Sequence, residues 1–136
     1  IADSLNNLAQ LRLDRGDAEA AHQELREALT LGREKGFKKL IAGSLEGCAR
    51  LALAQRSAHR AAQFWGAAEA LRRAIKAPEK PVEKGRYAHE QAAAKQELGA
   101  RAFAQAWSEG AALRLDEAVA LALECEAPRP VVSMNS

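Results

Sequence analysis

Apolar residues recur at three- and four-residue steps along most of the chain, a spacing that predicts amphipathic helices. The apolar and packing face of the first helix carries Leu5, Leu8, Ala9 and Arg12. We expect this helix to end at Gly16, which can adopt the left-handed conformation, and the next to be capped by Asp17. The second helix then ends near Gly32 or Gly36. The pattern therefore predicts a pair of antiparallel helices.

The first half of the chain repeats itself at a shift of forty residues. The matches include Ser4-Leu5 with Ser44-Leu45, Ala9 with Ala49, Leu13 with Leu53, Ala21 with Ala61 and Ala28 with Ala68. Small residues at these places allow two helix backbones to approach closely, while Leu8 and Leu25 are expected to fill the gaps between them. The repeat predicts a second helix pair built like the first.

The residues that organise each pair resemble the tetratricopeptide repeat, abbreviated TPR. In the first copy they are Leu8-Ala9, Gly16-Asp17, Ala21, Leu25 and Ala28, and in the second they are Cys48-Ala49, Ala61, Trp65 and Ala68. Ser57 stands where the first copy has Asp17 and is expected to cap the fourth helix. The resemblance implies an all-α fold in which antiparallel helix pairs stack as a right-handed superhelix, followed by two or three closing helices.

Proline and glycine divide the second half of the chain into further helices. After the two pairs we expect a helix from about Val82 to Leu98 and a shorter helix that ends at Gly110. A last helix is expected from Glu117 to Glu124, capped by Asp116. The predicted organisation is two TPR-like helix pairs over residues 1–76, a closing helical segment over 77–126 and a disordered tail over 127–136.

Two stretches, Gly66 to Arg72 and Phe103 to Leu123, resemble the C-terminal helical region of LuxR-type transcriptional regulators and related bacterial signalling ATPases. This resemblance implies that the chain is a piece of a larger regulator that has an ATP-binding switch upstream. The piece itself is then expected to hold no cofactor and to lie in the cytoplasm. Its expected partner is protein, either another domain of its parent or a peptide.

Composition supports a helical protein without a membrane span. Alanine supplies 32 of the 136 positions, whereas valine and isoleucine together supply seven, which disfavours a sheet. No apolar run approaches the roughly 20 residues that a membrane-spanning helix needs. The two cysteines, Cys48 and Cys125, form no CxxC pair, so neither a disulfide framework nor a zinc site is predicted.

No catalytic motif is present in the sequence: it lacks a Gly-Lys-Ser or Gly-Lys-Thr loop, GxSxG and HExxH. His22, His59 and His89 lie far apart, so we interpret them as surface or packing residues, and Cys48 as apolar filler. The aromatic residues, including Phe37, Phe64, Trp65, Tyr87, Phe103 and Trp107, are interpreted as core. The sequence therefore predicts a protein that is not an enzyme.

Charge is concentrated in the middle of the chain. Residues 32–76 hold ten basic and three acidic groups, whereas the whole chain has a net charge of +2. The basic residues at the predicted helix ends are Arg33, Lys35, Lys38, Lys39, Arg72, Arg73 and Lys76. They either complement helix C-terminal dipoles or form a patch for nucleic acid or an acidic protein.

The first helix of each pair lines the concave side of such a stack, so its polar face is the candidate interaction surface. This surface comprises Asp3, Asn6, Gln10, Asp14, Glu46 and Arg50. The same spacing is equally typical of a solvated helix face. We therefore predict a protein-interaction or signal-relay module, with nucleic-acid binding through the basic centre as the alternative. The ligand and the oligomeric state stay open.

Overall fold

The computed structural model describes residues 2–79 and 81–124, with side chains from residue 5 onward. This part of the chain consists of helices joined by short connections and contains no strand, which confirms the all-α class. The helices are α1 (Ala2–Asp14), α2 (Ala18–Lys35), α3 (Lys38–Ala54), α4 (Ala58–Ile75), α5 (Pro81–Leu98), α6 (Ala100–Ala111) and α7 (Leu115–Glu124). Within these ranges no helix combines the length and the apolar character that a bilayer crossing requires. The predicted tail and Cys125 lie outside the described residues.

The turns inside the first two helix pairs have the same backbone geometry. Gly16 after α1 has a φ of 80°, and Arg56, forty residues later, has a φ of 63°. In both turns the next backbone N–H reaches back to a carbonyl: Asp17 N lies 2.8 Å from the Arg12 oxygen, and Ser57 N lies 2.8 Å from the Ala52 oxygen. A left-handed residue followed by this bond is a common way to end a helix.

The ends of α2 and α4 match in the same way. Gly36 and Lys76 both adopt the left-handed conformation, with φ values of 71° and 56°. The residues that follow them donate to carbonyls five positions earlier, at 2.9 Å for Phe37 and 3.0 Å for Ala77. Lys76 therefore adopts a conformation that glycine adopts more easily, and the second pair tolerates it.

Capping of the helices follows the sequence prediction in one case and departs from it in two. The Asp17 carboxylate accepts a hydrogen bond from Ala20 N at 3.3 Å, as predicted for α2. Ser57 stands at the N-cap of α4, as predicted, but its side chain makes no capping bond. The Asp116 prediction was wrong: α7 begins at Leu115, two residues before the predicted start at Glu117, and the Glu117 carboxylate accepts from Arg114 N at 2.8 Å. A glutamate in the first turn reaches back to the cap position, as in a capping box.

The core lies mainly between α2, α3 and α4. Its largest fully buried apolar side chains are Trp65, Phe64, Leu25, Leu29, Ile41 and Leu45. The alanines that match across the repeat, Ala9, Ala21, Ala28, Ala49, Ala61 and Ala68, are also fully buried, as expected for close helix contacts. Cys48 is buried among them, which is consistent with apolar packing.

Leu8 does not fill a gap between helices, so that prediction was wrong. Its side chain is 39% exposed, and Leu11 is 50% exposed. The buried side of α1 instead carries Ala9 and Gln10, with Leu13 packed against the core. One turn of helix separates Leu8 from Leu11, so both point away from that side. The apolar pattern of α1 therefore predicted a helix correctly but assigned its buried face wrongly.

Helix α6 crosses α4 at very short range because each helix has a glycine at the contact. A Cβ on Gly66 would lie 2.1 Å from the Trp107 carbonyl oxygen, and one on Gly110 would lie 1.8 Å from the Gln63 oxygen. Gly110 was expected to end α6, but the helix continues to Ala111. Gly110 allows the backbones of α4 and α6 to touch and does not terminate α6.

Candidate functional site

Five of the six residues predicted for the interaction surface come together, and other helices cover all of them except the exposed Asp14 and the half-buried Asn6. They are Asn6, Gln10 and Asp14 on α1 and Glu46 and Arg50 on α3, while the Asp3 side chain lies outside the described part. Glu46 is 1% exposed, and Gln10 and Arg50 are each 9% exposed. The cover comes from α5 and from α4, whose polar side chains bond to this face. We call these bonded residues the inner polar cluster: Gln10, Asp14, Glu46, Arg50, Arg72, Tyr87 and Glu90.

Arg50 holds three helices together within the inner polar cluster. Its Nη2 donates to Asp14 Oδ1 at 2.8 Å, its Nε donates to Glu90 Oε1 at 2.9 Å, and its Nη1 donates to the Gln10 amide oxygen. Burial disfavours the cation, but the two carboxylates outweigh burial and raise the pKa of Arg50 above its ordinary value. Arg50 is therefore a permanent positive charge that joins α1, α3 and α5.

A forty-residue spacing separates three bonded residues of this cluster. Gln10, Arg50 and Glu90 are spaced forty residues apart and bond to one another in that order. Sequence analysis missed Glu90, although applying the same shift once more to Arg50 leads to it. Tyr87 was assigned to the core, and its buried hydroxyl also accepts a hydrogen bond from the Gln10 amide at 3.1 Å.

A second ion pair lies beside the first and buries Glu46. Arg72 Nε donates to Glu46 Oε2 at 2.6 Å, and its Nη2 donates to Oε1 at 2.8 Å, while Nη1 donates to the Ala77 carbonyl at 3.0 Å. Burial is the largest influence on Glu46 and raises its pKa to about 7, even though Arg72 lowers it. Glu79 also raises this pKa. Glu46 thus titrates near neutral pH.

A small polar cleft of about 120 Å³ opens beside this pair, between α1, α3 and α5. Residues that line it include Asn6, Lys39, Glu46, Arg72, Glu83 and Tyr87. Burial raises the pKa of the Tyr87 hydroxyl, so Tyr87 stays neutral across the physiological range. The groups with strongly shifted pKa values therefore meet at one place, which makes this face the candidate functional site.

The other residues considered for chemistry do not converge. His22 is buried on α2, His59 lies 3.5 Å from Glu109, and His89 is exposed on α5. Across residues 2–79 and 81–124, no three His, Cys, Asp or Glu side chains are grouped as a metal would need. Phe37 is 45% exposed and lies outside the core to which sequence analysis assigned it.

The basic segment is divided between buried and exposed groups. Arg50 and Arg72 are engaged by carboxylates within the inner polar cluster, and Arg73 lies 3.3 Å from Glu69. Lys35 in the last turn of α2 and Lys38 at the start of α3 are exposed. A patch for nucleic acid or an acidic protein, one of the two interpretations of this segment, would therefore lack the charges of Arg50 and Arg72.

Comparison of the chain with family models, with curated proteins and with solved structures found no match.

The raised pKa of Glu46 gives a testable pH dependence. The folded protein binds this proton more tightly than the unfolded chain, whose value is near 4.5, so folding stability falls as pH rises from 5 to 8. We expect Glu46→Gln to remove about 2 kcal/mol of this change, measured by urea unfolding at several pH values. A wild-type slope identical to that of the variant would contradict the assignment.

Proposed function

We propose that this chain is a non-catalytic helical-repeat module that binds protein and relays a conformational signal. In this proposal the helix pairs stack as a TPR-like right-handed superhelix within a bacterial, cytoplasmic, ATP-dependent regulator of the LuxR type. Support comes from the matched turns at Gly16 and Arg56 and at Gly36 and Lys76, which give both pairs the same local geometry. Helix pairs of one geometry form extended surfaces when they stack.

The observation that carries the proposal is the chain of bonds from Gln10 through Arg50 to Glu90. It fastens α5 to the inner face of the first two pairs. Helix α5 buries Tyr87 and Ala94 and packs mainly on α4 and α6, whereas its bonds to α1 and α3 are polar. A partner segment with carboxylates can compete with Glu90 for Arg50. We infer that the partner is an acidic peptide or helix of another protein domain.

An enzyme is disfavoured because the buried ionisable groups bond to each other. Arg50 donates to Asp14, Glu90 and Gln10, and both oxygens of Glu46 accept from Arg72. Such groups hold helices in place and have little capacity left for a substrate. Nucleic-acid binding is disfavoured because Arg50 and Arg72 lie largely inside the protein and add little to the exposed charge that a phosphate backbone meets first.

Photocrosslinking within the full-length protein tests the proposed function. A photoreactive amino acid replaces Asn7, which is exposed at the polar cleft, and the matched control replaces Gln23, exposed on α2. We expect crosslinks to a protein domain from Asn7 whose yield changes between the ATP-bound and ADP-bound states. Crosslinks that form only from Gln23, or that ignore the nucleotide, would contradict a relay through the inner face.

A further inference from the structure

A second depression, separate from the inner polar cluster, lies between α3, α4 and the start of α7. It has a volume of about 290 Å³. Residues that line it include Lys38, Leu45, Leu71, Ile75, Leu113 and Leu115. We call it the apolar groove. Its volume is at the low end of the range for small-molecule sites, so it suits a small ligand better than a folded partner.

The aliphatic side chains that line the apolar groove favour a hydrocarbon ligand. Leu45 and Ala118 are buried, whereas Leu71 and Ile75 on α4 remain partly exposed. Water that rests on aliphatic side chains finds few hydrogen-bond partners, so its release on binding is favourable. Each methylene that enters such a site contributes about 0.8 kcal/mol. An aliphatic chain is therefore the ligand group that the walls select.

The charge at one end of the groove selects the other part of the ligand. Lys38 is the first residue of α3 and supplies the charged side chain among the residues that line the groove. Within the described ranges, Lys38 has no carboxylate at ion-pair distance. The first turn of α3 contains no acidic residue, and Phe37 provides no side-chain cap. Both the ammonium group and the positive end of the helix favour an anion here.

We propose that the apolar groove binds a free aliphatic carboxylate, with its chain against Leu71 and Ile75 and its carboxylate at Lys38. This inference goes beyond the proposed function, because the groove shares no residue with the inner polar cluster. The ligand class follows from the combination of an apolar wall and one cation at its end. A neutral hydrocarbon would leave the Lys38 ammonium group without an anion, and a short anion would leave the aliphatic side chains of the groove in contact with water.

The test is a titration of the full chain, followed by NMR of the Leu and Ile methyl groups. Octanoate is the probe, octanol has a similar chain without the charge, and acetate has the charge without the chain. We expect saturable shifts at the Leu71 and Ile75 methyls with octanoate. Affinity should rise about fourfold per added methylene from butanoate to octanoate, octanol should bind about threefold more weakly, and acetate should give no shift.

Two pairs of variants separate the roles of charge and shape. Lys38→Gln should weaken octanoate binding about threefold, to the level of octanol, whereas Lys35→Gln removes an exposed lysine elsewhere and should have no effect. Ala74→Leu narrows the groove at an exposed position and should abolish binding. Ala93→Leu, at an exposed position of α5, is its control. All four sites are exposed, so the variants are expected to fold.

Three results would overturn the proposal. The first is the absence of saturable methyl shifts in folded protein. The second is equal binding of octanoate to the Lys38→Gln and Lys35→Gln variants. The third is a shift of the Leu71 and Ile75 methyls with protein concentration alone, which would identify a second copy of the chain as the occupant of the groove.

Discussion

Replacing Gly110 with alanine is expected to lower the free energy of unfolding by about 3 kcal/mol. The added Cβ would stand 1.8 Å from the Gln63 carbonyl oxygen, and the obstructing atom is backbone, which has no rotamer to change. Helix α6 must therefore move away from α4 and leave the contact between Gly66 and the Trp107 backbone. Urea unfolding followed by circular dichroism measures the loss.

Gly85 provides the matched control for this substitution. It lies inside α5, and a Cβ there would meet no atom within 4 Å. Alanine at position 85 should stabilise the protein by up to about 1 kcal/mol, because glycine is a poor helix former. If Gly110→Ala and Gly85→Ala changed stability by the same amount, the close approach of α4 and α6 would be refuted.

Replacing Arg72 with methionine is expected to destabilise the protein by about 3 kcal/mol at pH 8. The change leaves the Glu46 carboxylate buried without its cation, and the loss of one partner of a buried ion pair is costly. Because Arg72 lowers the pKa of Glu46, its removal raises that pKa further. The carboxyl group then takes up a proton more readily, and the loss of stability should be smaller at pH 5.

Two companion variants test this explanation. Arg73→Met removes the neighbouring arginine, whose side chain is 79% exposed, and should change stability by less than about 0.5 kcal/mol. The double variant Glu46→Met with Arg72→Met replaces both charges by apolar groups and should recover most of the stability. A double variant as unstable as the sum of the two single variants would show that the buried charge is not the cause.

The parts of the fold that were predictable have local causes. Gly16 and Gly36 end α1 and α2 because a left-handed residue is required there, and glycine signals it directly. Arg56 and Lys76 adopt the same conformation, but arginine and lysine are not residue types that predict it. The forty-residue repeat, and not the residue type, indicates those two turns.

The parts that were not predictable depend on distant neighbours. Apolar spacing identifies α1 as amphipathic, but the exposure of Leu8 depends on which side of the helix is covered. The contact between Gln10 and Tyr87 joins residues 77 positions apart and depends on the path from α4 to α5. The polar spacing of Gln10 and Arg50 suggested a surface for a partner, whereas the protein's own Glu90 occupies it.

Helices α5 and α6 are attached to the rest of the protein by two different kinds of contact. Helix α6 is interlocked with α4 through glycine contacts, which release only if backbones separate. Helix α5 is joined to α3 by an ion pair between Glu90 and Arg50, which dissolved ions and competing carboxylates weaken. Rising ionic strength therefore weakens the bond between α5 and α3 and leaves the glycine contact between α4 and α6 unchanged.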